Sequence, residues 1–306
     1  MQLGRFGDWL KVATVFGAVG VGAAMLSGPL PAFDIVSHAR IPIGALLAAL
    51  GLLHLPARRP RWAAAAFLAA GLSIAPASAF FSPPQAHAAG GRTLRVLFHN
   101  AWMRNEDPAR VLTLVRSTRP DIVALIEVRR DWRAAIDTLA DIYPYRVMEP
   151  RYGETVILSK TPLEPFDAPG AGASIVFADI AQSEGPRLRI AVTHFTRPWP
   201  WDKAGAQRDQ LARFAEAWRA NGEPDIVVGD FNGAPWSAPL QTLSRNTGLR
   251  PAVGAGGTWP TFLPAILRLP IDNAFVGPRV RAIARRVRGP TGSDHAPVLY
   301  DVTLAD

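Results

Sequence analysis

A polar pair at the end of an apolar segment is the clearest candidate for chemistry in this sequence of 306 residues. Val227–Gly229 is followed by Asp230, Phe231 and Asn232, and alternation along an extended chain places Asp230 and Asn232 on the same side. A carboxylate only accepts hydrogen bonds, whereas a carboxamide also donates them. Together they could orient a water molecule and stabilise the charge that develops on a phosphate during hydrolysis. The tetrapeptide alone is also typical of turns, so its meaning depends on the rest of the chain.

Other polar side chains also follow or begin predicted strands. Alternating strand and helix patterns run from Leu94 to Thr303 and predict an α/β domain. Such a sheet places its ligands at strand ends, so we expect these side chains to lie along one rim. Taken singly, each could be a solvated strand end, a half-buried histidine or a turn residue, but their joint occurrence favours a site. They are Asn100, Glu127, His194, Asp230, Asn232, Asp272, Asp294 and His295.

The order of these motifs resembles the endonuclease/exonuclease/phosphatase superfamily, which includes DNase I, abasic-site endonucleases and neutral sphingomyelinases. The resemblance covers roughly Leu94 to Leu304 and depends most on the Gly-Asp-Phe-Asn and Ser-Asp-His elements. It implies a four-layer α/β/β/α sandwich of the DNase I type that hydrolyses phosphoester bonds. The matching motifs are His99-Asn100, Ile126-Glu127, Thr193-His194, Gly229–Asn232, Ile271-Asp272 and Ser293–His295.

The resemblance implies a metal site and its supporting residues. Glu127 would hold a divalent cation, expected to be Mg²⁺ with Mn²⁺ as a substitute, because hard cations prefer carboxylate oxygen. Asp294 would assist the metal or the neighbouring histidine, and Asn100 would support the metal site or contact the phosphate. His194 would hold a phosphate oxygen, and Glu154 is expected to supply a carboxylate that braces this histidine.

The remaining roles that the resemblance implies concern the attacking water and the proton. Asp230 would orient and deprotonate the water, and Asn232 would bind the phosphoryl oxygens. His295 would donate to the phosphate or assist proton transfer, with Asp272 fixing its ring. A carboxylate beside a histidine raises the basicity of the ring, which suits this arrangement.

Two positions depart from the family pattern. Many members carry a glutamine before the metal-binding glutamate and an acid two residues after the first asparagine. This chain has Ile126 and Trp102 at those places. Its metal site would therefore contain fewer acids than that of an abasic-site endonuclease, which argues against abasic-site repair.

The N-terminal third has the composition of a membrane region. Residues 1–91 contain six of the 33 basic residues and two of the 25 acidic residues. Three apolar segments, about 10–28, 41–57 and 62–81, predict three transmembrane helices within residues 1–81, the second segment being only just long enough. A Pro/Ala/Gly-rich linker at 82–91 would join them to a catalytic domain at 92–306.

Basic residues predict the orientation of this region. Arg5 and Lys11 precede the first segment, and the basic stretch Arg58–Arg61 lies between the second and third. Positively charged flanks stay in the cytoplasm, which predicts a multi-pass protein of the bacterial inner membrane with a periplasmic catalytic domain. Alternatively, the third segment is a signal peptide cleaved after residues 77–79. The chain has no cysteine, which excludes disulfides and thiol catalysis.

Two features bear on the substrate without deciding it. Loop tryptophans and an apolar run near the expected rim could form a wall for a base or a lipid, dip into a bilayer, or pack over small patches. The arginine-rich segment 279–288 could line a phosphate-binding groove or be a solvated edge strand. The aromatic and apolar residues are Trp199, Trp201, Trp236, Trp259, Phe262 and the run Leu263–Leu269.

Two functions of different classes remain. The first is a membrane-anchored, divalent-metal-dependent phosphoesterase whose substrate is a nucleic acid, a phospholipid head group or a small phosphorylated molecule. The second is a non-catalytic binding domain that is anchored in the bilayer by its N-terminal helices and retains the fold. Because all the costly polar positions are present together, the sequence favours the enzyme.

Overall fold

Two β-sheets packed face to face form the C-terminal part of the chain in the computed structural model. The structure describes residues 2–81, 93–149, 154–170, 172, 174–182, 185–200, 203–222, 224–252, 254 and 256–304. The predicted linker, residues 82–91, lies outside the described residues. The described strands are β1 (Thr93–Asn100), β2 (Ile122–Val128), β3 (Tyr145–Glu149), β4 (Glu154–Ser159), β5 (Leu163–Phe166), β6 (Ile175–Ile180), β7 (Leu188–His194), β8 (Ile226–Asp230), β9 (Arg250–Pro251), β10 (Asp272–Val276), β11 (Val280–Val287) and β12 (Val298–Leu304).

The helices fall into an N-terminal group and a group that covers the sheets. The first sheet has the strand order β11-β12-β1-β2-β4-β3, and the second has the order β5-β6-β7-β8-β10-β9. The described helices are α1 (Gln2–Met25), α2 (Asp34–His38), α3 (Arg40–His54), α4 (Pro60–Ile74), α5 (Ala109–Thr118), α6 (Arg133–Asp137), α7 (Lys203–Ala220) and α8 (Ala238–Thr247).

Three hydrophobic clusters hold the layers together. Alternate residues of both sheets, such as Phe98 and Val228, point into the space between them and form a buried core. On the outer face of the first sheet, Val115 of α5 packs among buried residues of β1, β2 and β4. On the outer face of the second sheet, Phe214 and Trp218 of α7 pack among buried residues of that sheet. The four-layer α/β/β/α arrangement expected from the sequence is therefore confirmed.

Parallel strand pairs bring the polar strand ends to one edge. β1 runs parallel to β2, and β7 runs parallel to β8, whereas the other neighbouring strands described in the two sheets are antiparallel. The carboxyl ends of parallel strands meet at the same edge of a sheet. β1 ends at Asn100 beside Ile126, and His194 pairs directly with Asp230. Both sheets therefore deliver polar side chains to the same end of the sandwich.

The N-terminal helices differ from the three predicted spans. α1 alone, over Gly7–Met25, is long and apolar enough to cross a membrane as a single helix. A second crossing is obtained only if Pro31–His38 and Arg40–His54, bent by 59°, act together. The helix in the third segment ends at Ile74, and Ala75–Phe81 form a 3₁₀ helix. The prediction of three spanning helices is therefore not supported, because the described residues contain one helix that is long and apolar enough, or two if the bent pair acts as one span.

Proline explains why α3 and α4, the helices of the second and third predicted membrane segments, are short. Pro56 follows the end of α3, and Pro76 lies just beyond the end of α4, where a proline ring cannot continue the helical hydrogen bonding. α3 and α4 have 15 residues each. At a rise of about 1.5 Å per residue each extends roughly 22 Å, less than the hydrocarbon thickness of about 30 Å.

The N-terminal helices pack on each other and on the sandwich. Leu47 of α3 is buried between residues of α1 and α4. Arg208 of α7 forms an ion pair with the buried Asp34, at 2.6 Å, and the backbone N–H of Ala234 donates to His38 Nδ1 at 2.9 Å. Trp236, which the sequence places near the rim, instead packs against Phe80 and Phe81 of the N-terminal region and is 7% exposed.

Candidate active site

Asn100 connects the two sheets at the polar edge. Its Nδ2 donates to Glu127 Oε1 at 2.9 Å and to Asp230 Oδ2 at 3.2 Å, so a single amide holds carboxylates from different sheets. Its Oδ1 accepts from the backbone N–H of Trp102 at 3.0 Å, which fixes the orientation of the amide. Because Asn100 is fully buried, the amide orders these carboxylates before any ligand arrives.

Glu127 is directed to the site by an irregularity in its strand. The register between β2 and β4 shifts between Leu125 and Val128, and Glu127 has a φ of +52°. A left-handed conformation costs a residue with a side chain roughly 1–2 kcal/mol, and bulges of this kind re-aim side chains. The second oxygen, Oε2, accepts from the backbone N–H of Met103 at 3.3 Å.

The second sheet contributes His194, Asp230 and Asn232. His194 Nε2 lies 3.6 Å from Glu127 Oε1 and 3.8 Å from Asp230 Oδ2. The backbone N–H of Asn232 donates to Asp230 Oδ1 at 2.8 Å. Asn232 Nδ2 donates to the carbonyl of Phe195 at 2.9 Å, which uses one of its two amide hydrogens and leaves the other for a ligand.

His295 faces Asp230 and is held from behind by Asp272. Nδ1 of His295 lies 2.9 Å and 3.1 Å from the two carboxylate oxygens of Asp272. An ionised carboxylate only accepts, so Nδ1 carries a proton. Nε2 points the other way and lies 3.8 Å from Asp230 Oδ2 and 4.0 Å from Asp294 Oδ1. The three side chains Asp272, His295 and Asp230 thus form a row that ends at the site.

The charges in this row support each other. Burial by itself lowers the pKa of His295, but the carboxylates of Asp272 and Asp230 outweigh burial and raise this pKa to about 10. Burial raises the pKa of Asp230 to about 6, although the His295 imidazolium opposes the increase. At neutral pH the row therefore contains a protonated histidine beside an ionised Asp230, which can accept a proton.

Two groups of side chains could hold a divalent cation. Asp230, Asp272 and His295 present ligand atoms within 4.8 Å of one another. Both oxygens of Asp272 lie within hydrogen-bonding distance of His295, and Asp272 is buried and does not line the cavity. Glu127 presents carboxylate oxygen, the donor that Mg²⁺ prefers, at the cavity wall. Glu127 is therefore the more accessible ligand for such an ion.

Asp294 provides a further oxygen. Oδ2 accepts a hydrogen bond from Trp259 Nε1 at 3.1 Å. Oδ1 is buried and has no hydrogen-bond partner among the residues that the structure describes. A buried carboxylate oxygen without a partner is costly, and a cation or a ligand donor would satisfy it.

Glu154 does not brace His194, and the structure corrects this expectation. Both of its carboxylate oxygens bind the guanidinium of Arg133, at 2.6 Å and 2.9 Å to Oε1 and 3.1 Å to Oε2. The buried carboxylate is thus neutralised by an arginine whose own side chain is about half exposed. This pair stabilises the start of β4 and lies outside the row of site residues.

The polar edge opens into a cavity of about 1050 Å³. Trp199 and Trp259, expected near the rim, line it, whereas Trp201 lies outside the described residues. Asn100 and Asp272 are buried behind the lining residues. The predicted site residues that line the cavity are Glu127, His194, Asp230, Asn232, Asp294 and His295.

Several lining residues were not predicted from the sequence. Ile35 and His38 of α2 reach the cavity from the N-terminal region, and Arg197, Lys203 and Arg213 supply positive charge. The basic residues follow the strand that ends at His194, and that position could have indicated them. Hydropathy gives no such signal for Ile35 and His38, because they fall between two apolar segments that predict membrane helices.

The comparisons with known proteins agree with this geometry. Residues 97–295 match the Endonuclease/Exonuclease/phosphatase family. No significant match was found among curated protein sequences.

Solved structures with a similar fold cover most of the sandwich. An endonuclease/exonuclease/phosphatase from Beutenbergia cavernae is 19% identical, with a TM-score of 0.54, covering 70% of this chain and 72% of its own. TDP2 of D. rerio complexed with a single-strand DNA product is 17% identical, with a TM-score of 0.55, covering 69% and 98%. Beta toxin from Staphylococcus aureus with bound magnesium ions is 16% identical, with a TM-score of 0.54, covering 70% and 100%.

At these identities the structural similarity establishes the fold. The family match extends over well over half of the chain and includes the predicted site residues that line the cavity. The chain belongs to the endonuclease/exonuclease/phosphatase family and is an enzyme that hydrolyses phosphoester bonds.

Proposed function

We propose that this protein is a membrane-anchored phosphoesterase that depends on a divalent metal ion and uses Asp230 to activate water. The observation that carries the proposal is the double hydrogen bond of Asn100 to Glu127 and Asp230. These hydrogen bonds bring the carboxylates of Glu127 and Asp230 to a single amide, and burial raises the pKa of Asp230 to about 6, which suits the proposed base. His295 Nε2 lies 3.8 Å from the same carboxylate.

Each side chain has a defined part in this proposal. Asp230 orients the water molecule and takes its proton as the oxygen attacks phosphorus. The protonated His295, fixed by Asp272, donates to a phosphate oxygen, and the free amide hydrogen of Asn232 does the same. Donors that are already oriented stabilise developing charge without reorganising. His194, close to both carboxylates, contacts another phosphate oxygen.

Glu127 is the residue proposed to hold the metal, with Asn100 orienting it and Asp294 contributing its free oxygen. When bound, Mg²⁺ or Mn²⁺ supplies positive charge that offsets the charge of the phosphate. Asn100 keeps Glu127 Oε1 in place, and the N–H of Met103 keeps Oε2 in place, so the carboxylate does not have to be ordered when the ion enters.

The N-terminal region is proposed to anchor the enzyme in the bacterial inner membrane. Support comes from α1, which is long enough to span, and from the apolar side chains that the helices expose, such as Phe16, Leu52 and Leu68. Lys11 lies in the N-terminal half of α1, and the sandwich begins at Thr93, after α2, α3 and α4. With a cytoplasmic N-terminus, the positive-inside rule puts the catalytic domain on the periplasmic side if one or three helices cross, and we propose such an odd number of crossings.

The first test is hydrolysis of a soluble substrate. The full chain, purified in mild detergent, should hydrolyse bis(p-nitrophenyl) phosphate in the presence of Mg²⁺ or Mn²⁺. Excess EDTA should remove the activity, and added Mg²⁺ should restore it, because chelation leaves the fold intact. Hydrolysis that persists in EDTA would contradict the proposed mechanism. Binding of the substrate without turnover under all these conditions would instead favour a non-catalytic binding domain.

The charges of Asp230 and His295 predict a bell-shaped pH profile. Activity requires ionised Asp230 and protonated His295, so kcat/KM should rise up to about pH 6 and fall near pH 10. A cation held beside Asp230 favours its ionised form, which moves the acidic limb to pH 6 or below. Rates measured at saturating Mg²⁺ between pH 4.5 and 10.5 would check this.

A variant tests the assignment of the basic limb. Asp272→Asn removes a carboxylate whose charge raises the pKa of both His295 and Asp230, so both limbs should move to lower pH, and the basic limb should move further because Asp272 also hydrogen-bonds His295. A wild-type basic limb below pH 8, or no change of this limb in the variant, would show that His295 is not the titrating acid.

A further inference from the structure

An apolar segment of the sandwich is exposed next to the cavity. Phe262 and Ile266 are each 82% exposed, and Leu267 is 48% exposed. These residues lie within a short stretch after the strand-like bridge at Trp259, and we refer to residues 262–267 as the apolar segment. An exposed cluster of this size on one loop indicates a surface that contacts another apolar phase.

The apolar segment lies beside the N-terminal region. Ala265 and Ile266 line a small cavity of about 310 Å³ together with Ile41 at the start of α3 and with Phe80 and Phe81. These N-terminal residues lie where the helical group meets the sandwich. The ion pair between Asp34 and Arg208 lies at the same end of the helical group. The apolar segment is therefore next to the place where the helices enter the sandwich.

The exposed surfaces of the helices continue this apolar surface. Val19 and Phe16 of α1, Leu46 of α3 and Leu72 of α4 are all exposed large hydrophobic residues. Water is a poor environment for so many apolar side chains, whereas the hydrocarbon of a bilayer suits them. Where the helices enter a bilayer, its surface lies beside the apolar segment.

The apolar segment also adjoins the active site. Leu269 and Ile271, just after the segment, line the catalytic cavity, and so does Trp259 just before it. Trp259 hydrogen-bonds Asp294 and its ring lies 6.4 Å from that of His295. The wall of the cavity is thus continuous with the segment that would touch the bilayer.

The N-terminal region also contributes to the wall of the catalytic cavity. Ile35 and His38 of α2 line the cavity, and His38 is fixed by the N–H of Ala234. The cavity that contains Asp230 is therefore lined both by residues that flank the apolar segment and by a helix of the N-terminal region.

Three of the five arginines in the arginine-rich segment are held by other parts of the fold, whereas Arg281 and Arg288 are exposed. Arg279 is paired with Asp225, and Arg286 is paired with Asp301. Arg285 is buried and donates to backbone carbonyls of residues 254, 256 and 272. These three side chains stabilise the edge strand β11 and its neighbours.

We propose, building on the function proposed above, that the apolar segment inserts into the bilayer surface and that the enzyme hydrolyses a phosphodiester of an amphiphile held in that bilayer. Water would add to phosphorus while the bond to the leaving alcohol oxygen breaks, giving a phosphomonoester and an alcohol. Arg197, Lys203 and Arg213 in the cavity supply positive charge for an anionic head group. A nucleic acid substrate is the competing outcome.

Insertion can be measured directly because the chain has no cysteine. The single replacement Ile266→Cys, labelled with a nitroxide in full-length protein reconstituted into phosphatidylethanolamine/phosphatidylglycerol vesicles, should be accessible to oxygen and shielded from a water-soluble nickel chelate. Tyr145→Cys, at an exposed position of edge strand β3, is the matched control and should remain accessible to the chelate. Equal accessibility of both labels to the chelate would overturn the proposal.

The consequence for catalysis is tested with Phe262→Ser combined with Ile266→Ser. In the same vesicles, phosphodiester hydrolysis followed by ³¹P NMR should fall at least about tenfold, because two large apolar contacts with lipid are lost. Hydrolysis of soluble bis(p-nitrophenyl) phosphate should stay within about twofold, since neither residue lines the catalytic cavity. Tyr145→Ser should change neither rate.

The remaining outcomes are distinct. An equal loss on both substrates, or no loss on either, would overturn the role of the apolar segment. Faster hydrolysis of single-stranded DNA than of vesicle lipid, unaffected by the double replacement, would favour a nucleic acid substrate and overturn the proposal. If the unmodified protein hydrolyses neither the soluble substrate nor the lipid, the proposed function itself fails, whatever the labels report.

Discussion

Replacing Asp230 by asparagine should lower kcat for bis(p-nitrophenyl) phosphate by about 10²-fold or more, the usual size of a general-base contribution. Asparagine keeps the shape of the side chain and can still accept the hydrogen bond from the N–H of Asn232. It cannot take a proton from water at neutral pH. KM should change little, because the phosphate is held mainly by His295, His194 and Asn232 in the proposed mechanism.

A matched control lies at the other end of the same strand segment. Asp225 is as buried as Asp230, with 3% and 2% of the residue exposed, and it forms an ion pair with Arg279 at 2.6 Å. Asp225→Asn should lower the melting temperature while kcat of the folded protein stays near that of the unmodified protein. If Asp230→Asn keeps more than a tenth of kcat, or if both variants lose activity in step with stability, Asp230 is not the base.

The strands that lead into the site could be predicted from the sequence because a strand that is buried on both faces has an almost continuous apolar sequence. β2 and β8 are apolar over almost their full length and carry a carboxylate at the next-to-last and the last residue, respectively. The sequence does not predict β3 and β5, which lie at the edges of the two sheets. Edge strands pair on one side only and can expose residues such as Tyr145 and Glu164, so their sequences need no continuous apolar pattern.

Within the site, the direction of the Glu127 side chain could not be predicted from the alternation of residues along its strand. Strict alternation would turn its side chain away from the face that Ile126 presents to the core between the sheets. The extra residue at the bulge and the φ of +52° remove that constraint. No glycine marks the position, so the aim of the side chain follows from tertiary packing that the local sequence does not encode.

The N-terminal region illustrates a different limit. Hydropathy locates apolar segments, but helix ends depend on Pro56 and Pro76 and on contacts with the sandwich. Asp34 and His38 lie between the first and second predicted membrane segments. They take part in those contacts through Arg208 and Ala234. The periodicity of a single segment carries no information about partners about 170 to 200 residues away.

Replacing Glu127 by glutamine should shift the dependence on Mg²⁺. Glutamine can still accept the hydrogen bond from Asn100, but it has no charge to offer a hard cation. A metal ion contributes several kcal/mol to such reactions, so the rate at a fixed, formerly half-saturating Mg²⁺ concentration should fall by about 10²-fold. Titration with Mg²⁺ should recover part of the loss, and binding of Mn²⁺ followed by electron paramagnetic resonance should weaken in parallel.

Two further variants decide which carboxylates hold the ion. Glu154→Gln is the matched control, because this buried carboxylate binds Arg133, and its loss should lower stability without moving the half-saturating Mg²⁺ concentration. Asp272→Asn tests the competing group formed by Asp230, Asp272 and His295. If Asp272→Asn weakens Mn²⁺ binding as much as or more than Glu127→Gln does, the ion is held by the row of Asp230, Asp272 and His295. In that case His295 could not act as the protonated donor, because a ring nitrogen that binds a cation carries no proton.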